Sequence, residues 1–376
     1  MGLLDSKYRA DFGEGETKRV DWMLFILVLI MAAIGTITLY SATFEATGVQ
    51  NTFLLKQLIF FGIGFFVIAL CLLFDYRILE HFAYIIYGLN ILLVLGTRWG
   101  GVMRNGQKLW YNFGVVAFQP SETMKVAMIL ALAKYFHGRE YSGSLNLREL
   151  FSPMMIVLGA TVAVCSQPDP GTGMIIFLIG LAMILFFGIK KNIILTTIVA
   201  GLLMSPFVWK YGLAQRHRDR IKVVFDPSLD PKGKGYNSLQ AIIAVGSGQF
   251  VGKGFNQGTQ SQLGFTPEGY TDFIFTVLAE EWGWIGSFVC MILYLLLIYR
   301  CVWAAAYSRE KFGAMVAIGV AAMLSAQAIV NIAMVIGLFP IVGIPLPLLS
   351  YGGSSVITVC LAIGLVLNIG YRRIMF

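Results

Sequence analysis

The sequence predicts an all-α polytopic membrane protein with about ten transmembrane helices and a large extracytoplasmic loop between helices 7 and 8. Of its 376 residues, 57% are hydrophobic and only 13% are charged, and the mean hydropathy is +0.76. A soluble domain carries about 25% charged residues. One polar, glycine-rich stretch, residues 211–270, interrupts this apolar background. We therefore expect a single membrane domain over residues 1–376 whose function depends on that loop.

A hydrocarbon core needs roughly 20 mainly apolar residues per helix, and about ten runs of the chain meet this need. These runs are 22–43, 53–74, 78–96, 119–136, 152–165, 173–189, 192–210, 271–300, 312–336 and 353–371. The runs 152–165 and 173–189 are short and flank a polar break. Because the first run follows a hydrophilic segment, residues 1–21, and is long enough to span, it does not have the pattern of a cleavable signal peptide.

The distribution of basic residues indicates the orientation. If the N-terminus is cytoplasmic, most Lys and Arg residues outside the long loop lie inside, and the short outer loops hold only Arg98, Arg104 and Lys108. We expect both termini in the cytoplasm and the protein in the inner (cytoplasmic) membrane. The long loop adds further cations, namely Lys210, Arg216, Arg218, Arg220, Lys222, Lys232, Lys234 and Lys253. Scattered charges often form a solvated surface, but here two outer segments share them, which favours an anionic partner.

The cysteines do not indicate a disulfide framework or a metal site. The five of them are scattered through apolar segments without metal-ligand spacing. We interpret them as small packing residues. No cofactor is certain from the sequence, assistance by a divalent cation such as Mg²⁺ or Mn²⁺ is left open, and no nucleic-acid partner is expected.

The segment Gln119–Lys125 places two ionisable residues inside a spanning run, where a charge is costly and functional by default. Pro120 suits the first turn of a helix. Glu122 and Lys125 are three residues apart, so they share a face and can pair. A packing salt bridge and a direct role in binding explain the pair equally well.

Two segments rich in proline and glycine interrupt the helical pattern on the outer side. Gln167–Gly173 lies between the two short runs, and Thr172–Gly173 is predicted to open the next helix with free N–H groups. Residues 343–355 precede the last helix and could form a re-entrant hairpin with Ser354 and Ser355 as N-caps. Such breaks are tolerated only where they are buried in protein or line a cavity.

Within the long loop, the spacing of Leu239, Ile242 and Ile243 predicts a short amphipathic helix along the membrane surface. The glycines that follow recur too irregularly for a phosphate-binding loop, so we predict a compact loop. These glycines are at positions 246, 248, 252, 254 and 258.

The polar motifs recur in a fixed order from the first helix to the last. They are Gln119–Lys125, Gln167–Gly173, Gly235–Tyr236, Gly246–Gly248, Gly252–Gly254, Gly258–Ser261, Pro267–Glu268, Thr271–Phe275, Glu280–Gly283 and Pro345–Ser355. In this order they resemble the motifs of the SEDS family of shape, elongation, division and sporulation proteins. Gly343–Pro347 is more similar to the elongation members, the RodA type, than to the division members.

The resemblance implies a peptidoglycan glycosyltransferase that polymerises lipid II at the outer face of the membrane during cell elongation and shape maintenance. It also implies a class B penicillin-binding protein as the crosslinking partner, with other elongation-complex proteins. It places the essential carboxylate at Asp272, a membrane pair at Glu122 and Lys125, and cavity-lining groups at Gln167 and Asp169.

Two positions depart from the family pattern. Lys108, followed by Leu109 and Trp110, stands where the family often has an Arg-Trp pair. Gly269 and Tyr270 replace a common Arg-His pair ahead of the aspartate.

The implied reaction needs a base for the acceptor hydroxyl and cations for the pyrophosphate leaving group. Asp272 would be the base, although capping the helix that follows it explains an Asp there equally well. Candidates for holding the pyrophosphate are Arg104, Lys108, Arg216, Arg218, Arg220 and Lys253. Arg218 and Arg220, which match the basic pair of the family, are the strongest. Glu280 and Glu281 are predicted to be packing or gating partners.

Two other functions fit parts of the sequence. A lipid II flippase would use broken helices and buried charges such as Glu122 and Lys125, without a strict need for Asp272. A non-catalytic scaffold for wall enzymes would tolerate the loss of every polar residue named. The large outer loop favours the enzyme.

Overall fold

The computed structural model describes residues 20–43, 50–104, 107–112, 114, 117–139, 145–207, 210–211, 215–226, 230, 233–262 and 269–372. Within these ranges the chain forms thirteen helices and three short strands. The helices are α1 (Trp22–Ala42), α2 (Gln50–Leu73), α3 (Arg77–Gly100), α4 (Pro120–His137), α5 (Leu147–Cys165), α6 (Pro170–Phe187), α7 (Lys191–Phe207), α8 (Gln215–Phe225), α9 (Lys234–Ser247), α10 (Thr259–Gln262), α11 (Ile274–Ala306), α12 (Lys311–Val335) and α13 (Gly353–Arg372). The strands are β1 (Val102–Arg104), β2 (Gln107–Asn112) and β3 (Ala117–Phe118), which pair antiparallel in the order β1-β2-β3.

The prediction of an all-α polytopic membrane protein is confirmed. In the described part of the chain, eight helices are long and apolar enough to cross a membrane: α1, α2, α3, α5, α6, α11, α12 and α13. Helices α4 and α7 coincide with two further predicted runs. Because α4 carries Glu122, Lys125 and Lys134 and α7 has only 17 residues, their crossing stays a prediction.

The two helices at the first polar break are longer than their apolar runs. Helix α5 begins at Leu147, where the Glu149 carboxylate accepts a hydrogen bond from the Asn146 N–H at 2.8 Å. Pro153 lies inside this helix and has no N–H for the carbonyl of Glu149. The Tyr135 hydroxyl donates to that carbonyl at 3.2 Å instead. A neighbouring helix thus compensates for the proline, which the sequence pattern does not show.

Helices α4, α12 and α13 form the interior of the bundle. In the spanning segments of α12 and α13, 72% and 78% of the residues are buried, against 11% in α3. Helix α12 packs against α4, α6, α11 and α13. Helix α3 therefore forms an outer wall, and α12 is the central helix against which the functional segments lie.

Helix α11 is kinked at Gly283, whose φ of 63° lies in the left-handed region. The loop residues 249–254 satisfy the backbone groups that the kink frees. The N–H groups of Trp284 and Ile285 donate to the carbonyls of Gln249 (2.9 Å) and Phe250 (3.2 Å), and those of Lys253 and Gly254 donate to the carbonyls of Glu280 (3.1 Å) and Glu281 (3.0 Å). The long loop is therefore partly a structural component of the bundle, and the compact loop expected from the sequence is confirmed.

Glycines allow this close approach of two backbones. A Cβ on Gly248 would lie 2.1 Å from the Ala279 carbonyl oxygen, and one on Gly252 would lie 2.1 Å from that of Glu281. Gly252 also has a φ of +87°. The glycine spacing that fits no phosphate loop thus reflects contact with α11.

Helix α9 is the short amphipathic helix predicted from the sequence. It buries Ala241 and Ala244, and it exposes the larger side chains of Leu239, Ile242 and Ile243. Small residues thus contact the bundle, while the larger apolar side chains stay partly exposed. Its position along the membrane surface stays a prediction.

We expect Gly252→Ala to destabilise the protein by roughly 2–4 kcal/mol, because it adds left-handed strain and a backbone clash. Thermal unfolding in detergent measures this loss. Gly246→Ala is the matched control, because Gly246 lies in α9 with no heavy atom within 4 Å of an added Cβ. The control should be neutral or stabilising by up to about 1 kcal/mol. Equal melting of both variants would contradict the structural role of the loop.

Candidate active site

The segment between α12 and α13, residues 343–352, is called the proline segment here. Its backbone carbonyls are held by side chains from three helices. The Tyr294 hydroxyl donates to the Pro347 carbonyl at 2.5 Å, and the Gln57 amide donates to that of Ser350 at 3.3 Å. Asn331 donates to the carbonyl of Ile344 at 2.6 Å. These donors make an irregular backbone tolerable inside an apolar bundle.

Residues 269–273, the aspartate segment, are bound to the proline segment. The Ser350 hydroxyl donates to the Thr271 carbonyl at 2.6 Å, and the Tyr351 N–H donates to the Tyr270 carbonyl at 3.0 Å. The rings of Tyr270, Tyr351 and Phe53 form a cluster with centroid distances of 5.1 to 6.2 Å. Tyr270 therefore packs in this aromatic cluster.

Asp272 is partly buried, and it does not cap α11. That helix begins at Ile274 with Phe273 as the N-cap residue, so the capping explanation for Asp272 is wrong. Its Oδ2 lies 3.2 Å from the position that a Cβ on Gly343 would take. Gly343 has a φ of +78°. The carboxylate therefore lies against the glycine that begins the proline segment.

Glu122 and Lys125 form a buried ion pair on α4, as their spacing predicts. The Lys125 Nζ lies 2.8 Å from the Glu122 Oε2, and the two residues are only 2% and 4% exposed. Asp169 is close enough to interact electrostatically with both charges. The pairing is confirmed, and a direct role in substrate binding stays a prediction.

The start of α4, the break between α5 and α6 and the proline segment meet at one end of the bundle. The Gln119 amide lies 3.5 Å from the Asp169 carboxylate, and the Gln119 N–H donates to the Ser354 hydroxyl at 3.0 Å. A Cβ on Gly171 would lie 2.6 Å from the Val342 carbonyl oxygen. The start of α4, the start of α6 and the proline segment thus enclose one region beside Asp272.

The structure corrects the prediction for Ser354. Instead of capping the last helix it lies in the first turn of α13, where its hydroxyl donates to the Ala117 carbonyl at 2.7 Å. Together with the bond from Gln119, this contact ties α13 to the β3–α4 junction. The partner is far away in the sequence, so local spacing does not reveal it.

Gln167 and Asp169, which the resemblance assigns to a cavity lining, both have structural contacts. Gln167 is 2% exposed, and its amide donates to Thr97 Oγ1 at 2.5 Å and to the Val94 carbonyl. Asp169 is the N-cap of α6 and accepts a hydrogen bond from the Thr172 N–H at 3.1 Å. The prediction that Thr172–Gly173 opens the helix with free N–H groups is therefore wrong. Helix α6 begins at Pro170, and both N–H groups donate to Asp169.

The candidate cations differ in their surroundings. Lys108 is exposed on β2, opposite Met103. Arg218, on α8, donates to the Lys210 carbonyl at 2.6 Å. Arg220 lines a small pocket with Ser238, Phe339, Pro340 and Ile341, beside the segment that leads into Gly343. The side chains of Arg104 and Arg216 lie outside the described residues.

Lys253 has a structural partner. Its Nζ lies 2.6 Å from Glu280 Oε1, and Glu280 is fully buried. The same carboxylate accepts a hydrogen bond from the Gln260 N–H at 2.9 Å. Glu281 accepts one from the Ser41 hydroxyl of α1. Lys253 is thus better explained as an anchor of the loop than as a phosphate ligand, and the two glutamates are packing partners, as predicted.

Sequence reasoning missed Asn331. This residue lies in the apolar run of α12 and also donates to the Asp272 carbonyl at 2.8 Å. A polar amide in a spanning helix is itself a signal, because such groups are buried at interfaces where they find partners. Among the described residues, no group of three or more His, Cys, Asp or Glu side chains is arranged to hold a metal ion.

Comparison with known proteins identifies the class. Residues 21–374 match the family of FtsW, RodA and SpoVE cell cycle proteins, so the chain belongs to this family. It is similar to peptidoglycan glycosyltransferase MrdB of Escherichia coli K12, with 34% identity over 354 residues that cover 94% of each chain. It is also 33% identical to stage V sporulation protein E of Bacillus subtilis over 363 residues, covering 94% of this chain and 98% of the relative.

Solved structures agree with these relatives. A chain from a peptidoglycan synthase complex that coordinates polymerisation and crosslinking matches with a TM-score of 0.81 and 29% identity, covering 95% of this chain and 99% of that one. The rod shape determining protein RodA of Thermus thermophilus matches with a TM-score of 0.70 and 27% identity, covering 95% and 98%. The expected family is thereby confirmed.

Neutralising either Glu122 or Lys125 should cost about 3–5 kcal/mol of unfolding free energy, because the partner charge stays buried without compensation. The exchange Glu122→Lys with Lys125→Glu should cost less than the sum of the two single changes. A double-mutant cycle from unfolding in detergent measures the coupling.

The Arg77–Glu310 pair is the control for this cycle. Its charges are 2.9 Å apart, but the side chains are 40% and 27% exposed. Its coupling should be about 0–1 kcal/mol. Additive losses at Glu122 and Lys125 would show that the buried pair is not energetically coupled.

Proposed function

We propose that this protein is a peptidoglycan glycosyltransferase that polymerises lipid II at the outer face of the cytoplasmic membrane, with Asp272 as the general base. One observation carries the assignment of the base. The Asp272 carboxylate lies beside Gly343, where the start of α4, the start of α6 and the proline segment meet. The family and its relatives, among them peptidoglycan glycosyltransferase MrdB, support the activity.

The chemistry assigns a task to each part of the site. The acceptor hydroxyl gives its proton to the Asp272 carboxylate as its oxygen attacks the anomeric carbon. The bond from that carbon to the lipid pyrophosphate breaks on the opposite side, and the pyrophosphate leaves with the electron pair. Cations stabilise the charge that develops on the leaving group. The result is transfer with inversion and a longer glycan strand.

Arg218 and Arg220 are the proposed ligands of the pyrophosphate. Arginine can hold two phosphate oxygens at once, which lysine cannot. Arg220 lies beside Phe339, Pro340 and Ile341, close in sequence to Gly343. Lys108, Arg104 and Arg216 are further candidates on the same side of the membrane. Glu122 and Lys125 would shape the substrate region from α4.

A class B penicillin-binding protein is the proposed partner, and the elongation complex is the proposed setting. The similar chain of known structure belongs to a peptidoglycan synthase complex that couples polymerisation to crosslinking. Both termini are proposed to lie in the cytoplasm, on the basis of the distribution of Lys and Arg. A flippase is the alternative function, and it would need Glu122 and Lys125 but not Asp272.

Asp272→Asn should abolish polymerisation by the purified protein with lipid II and its partner, because the amide cannot accept the hydroxyl proton. The measurement is the size distribution of the products, with partner binding checked by co-purification. Asp219→Asn is the matched control, since Asp219 is exposed on α8 and accepts a hydrogen bond from Gln215. It should keep near wild-type activity. Normal polymer length with Asp272→Asn would reject the base assignment and favour the flippase.

Arg218→Ala and Arg220→Ala should each lower the rate at subsaturating lipid II by roughly tenfold, the effect of losing one charge-assisted hydrogen bond of about 1.5 kcal/mol. Steady-state rates at varied lipid II, with melting temperatures alongside, separate binding from unfolding. Lys190→Ala is the control. It removes an exposed charge just after the C-terminal end of α6 and should change neither the rate nor the melting temperature. Wild-type rates for both arginine variants would mean that other groups hold the pyrophosphate.

A further inference from the structure

Asn331 joins the aspartate segment and the proline segment through one side chain. It lies in α12, is fully buried, and its Nδ2 donates to the Asp272 carbonyl at 2.8 Å and to the Ile344 carbonyl at 2.6 Å. Both neighbours are carbonyl oxygens, which can only accept, so the amide nitrogen must face them. The orientation of this amide therefore follows from its partners.

We propose that Asn331 is a positioning residue that sets the place of the Asp272 carboxylate. This inference rests on the proposed function, in which Asp272 is the base. Asn331 contacts the backbone of Asp272 and not its carboxylate, so it acts through geometry alone.

The hydrogen bonds of Asn331 are important because they tie the aspartate segment to a regular, buried helix. The bonds from Ser350 and Tyr351 fix residues 270 and 271 to the proline segment, which is itself irregular. Asn331 instead ties Asp272 to α12, the buried central helix. Through Ile344 it holds the residue next to Gly343, against which the carboxylate lies. One amide thus holds both the residue that carries the carboxylate and the residue next to the glycine against which the carboxylate lies.

The expected effect is on the rate of the chemical step. Productive geometry must be kept within about 0.5 Å, and a misplacement of about 1 Å can lower a rate roughly 100-fold. Removing the amide should therefore reduce kcat, whereas the groups that bind lipid II stay in place and KM changes little.

The chain offers a matched control in Asn368. This residue is also fully buried, and its Nδ2 donates to the Phe74 carbonyl at 2.7 Å and to the Cys71 carbonyl. Its contacts join α13 to the end of α2, next to the Arg372–Asp75 ion pair. Like Asn331, it donates to two backbone carbonyls, and its Oδ1 also accepts the Tyr76 N–H at 3.4 Å. Its location is the opposite end of the bundle.

The experiment compares Asn331→Leu and Asn368→Leu in the full-length protein with lipid II and its partner. We expect Asn331→Leu to lower kcat roughly 10- to 100-fold with KM for lipid II within about twofold. Asn368→Leu should lower the melting temperature comparably but keep kcat per folded molecule within about threefold. If Asn331→Leu yields too little folded protein, Asn331→Ser retains one donor and should give an intermediate kcat.

Hydrogen exchange gives a readout that does not depend on activity. Amides in peptides covering residues 269–273 and 343–352 should exchange faster in Asn331→Leu than in wild type, and they should be unchanged in Asn368→Leu. Local loosening together with a fall in kcat supports the positioning role.

Three results would overturn the positioning role of Asn331. Unchanged exchange in both segments, unchanged kcat, or an equal fall of kcat in both leucine variants each removes the special role of Asn331. The proposed function fails separately, and the inference with it, if wild-type protein makes no polymer or if Asp272→Asn remains fully active.

Discussion

The structure depends on one constraint of the membrane interior, which is that backbone polar groups must find partners within the protein because the hydrocarbon offers none. The helical pattern is broken at the start of α4, between α5 and α6, and between α12 and α13. Side chains supply the missing partners at the last break, where Tyr294, Gln57 and Asn331 donate to three carbonyls. Each unsatisfied group would cost several kcal/mol, so these polar contacts hold the irregular segments in a single arrangement.

The same arrangement holds the partly buried Asp272 in place. Asp272 lies on a segment that is bonded to the proline segment on one side and to α12 on the other. The proposed role as general base needs such a fixed position, because the proton acceptor must lie within hydrogen-bond reach of the hydroxyl. The buried pair of Glu122 and Lys125 lies on α4, which begins beside the same region. The contacts that hold the irregular segments therefore also fix the position of the proposed base.

The long loop has two roles that cannot be told apart from its amino-acid composition. Its glycine-rich part, residues 248–254, completes the backbone hydrogen bonding of the kinked helix α11, and Lys253 pairs with the buried Glu280. Its basic helix α8 stays nearer the surface with Arg218 and Arg220. One part of the loop thus stabilises the bundle, and the other carries the charges proposed to meet the substrate. Charge counting treats both alike, because it does not register where in the fold each cation lies.

The local sequence determined the features that depend on residues close together in the chain. Apolar runs predicted ten of the thirteen helices, three-residue spacing predicted the Glu122–Lys125 pair, and Pro120 marked the start of α4. The three-stranded sheet was missed because its strands are only two to six residues long. Only the tertiary structure decided the contacts of Asp272, Ser354, Lys253 and Asn331. Their partners lie elsewhere in the chain, so packing of distant helices and loops, and not local propensity, determines which polar group meets which.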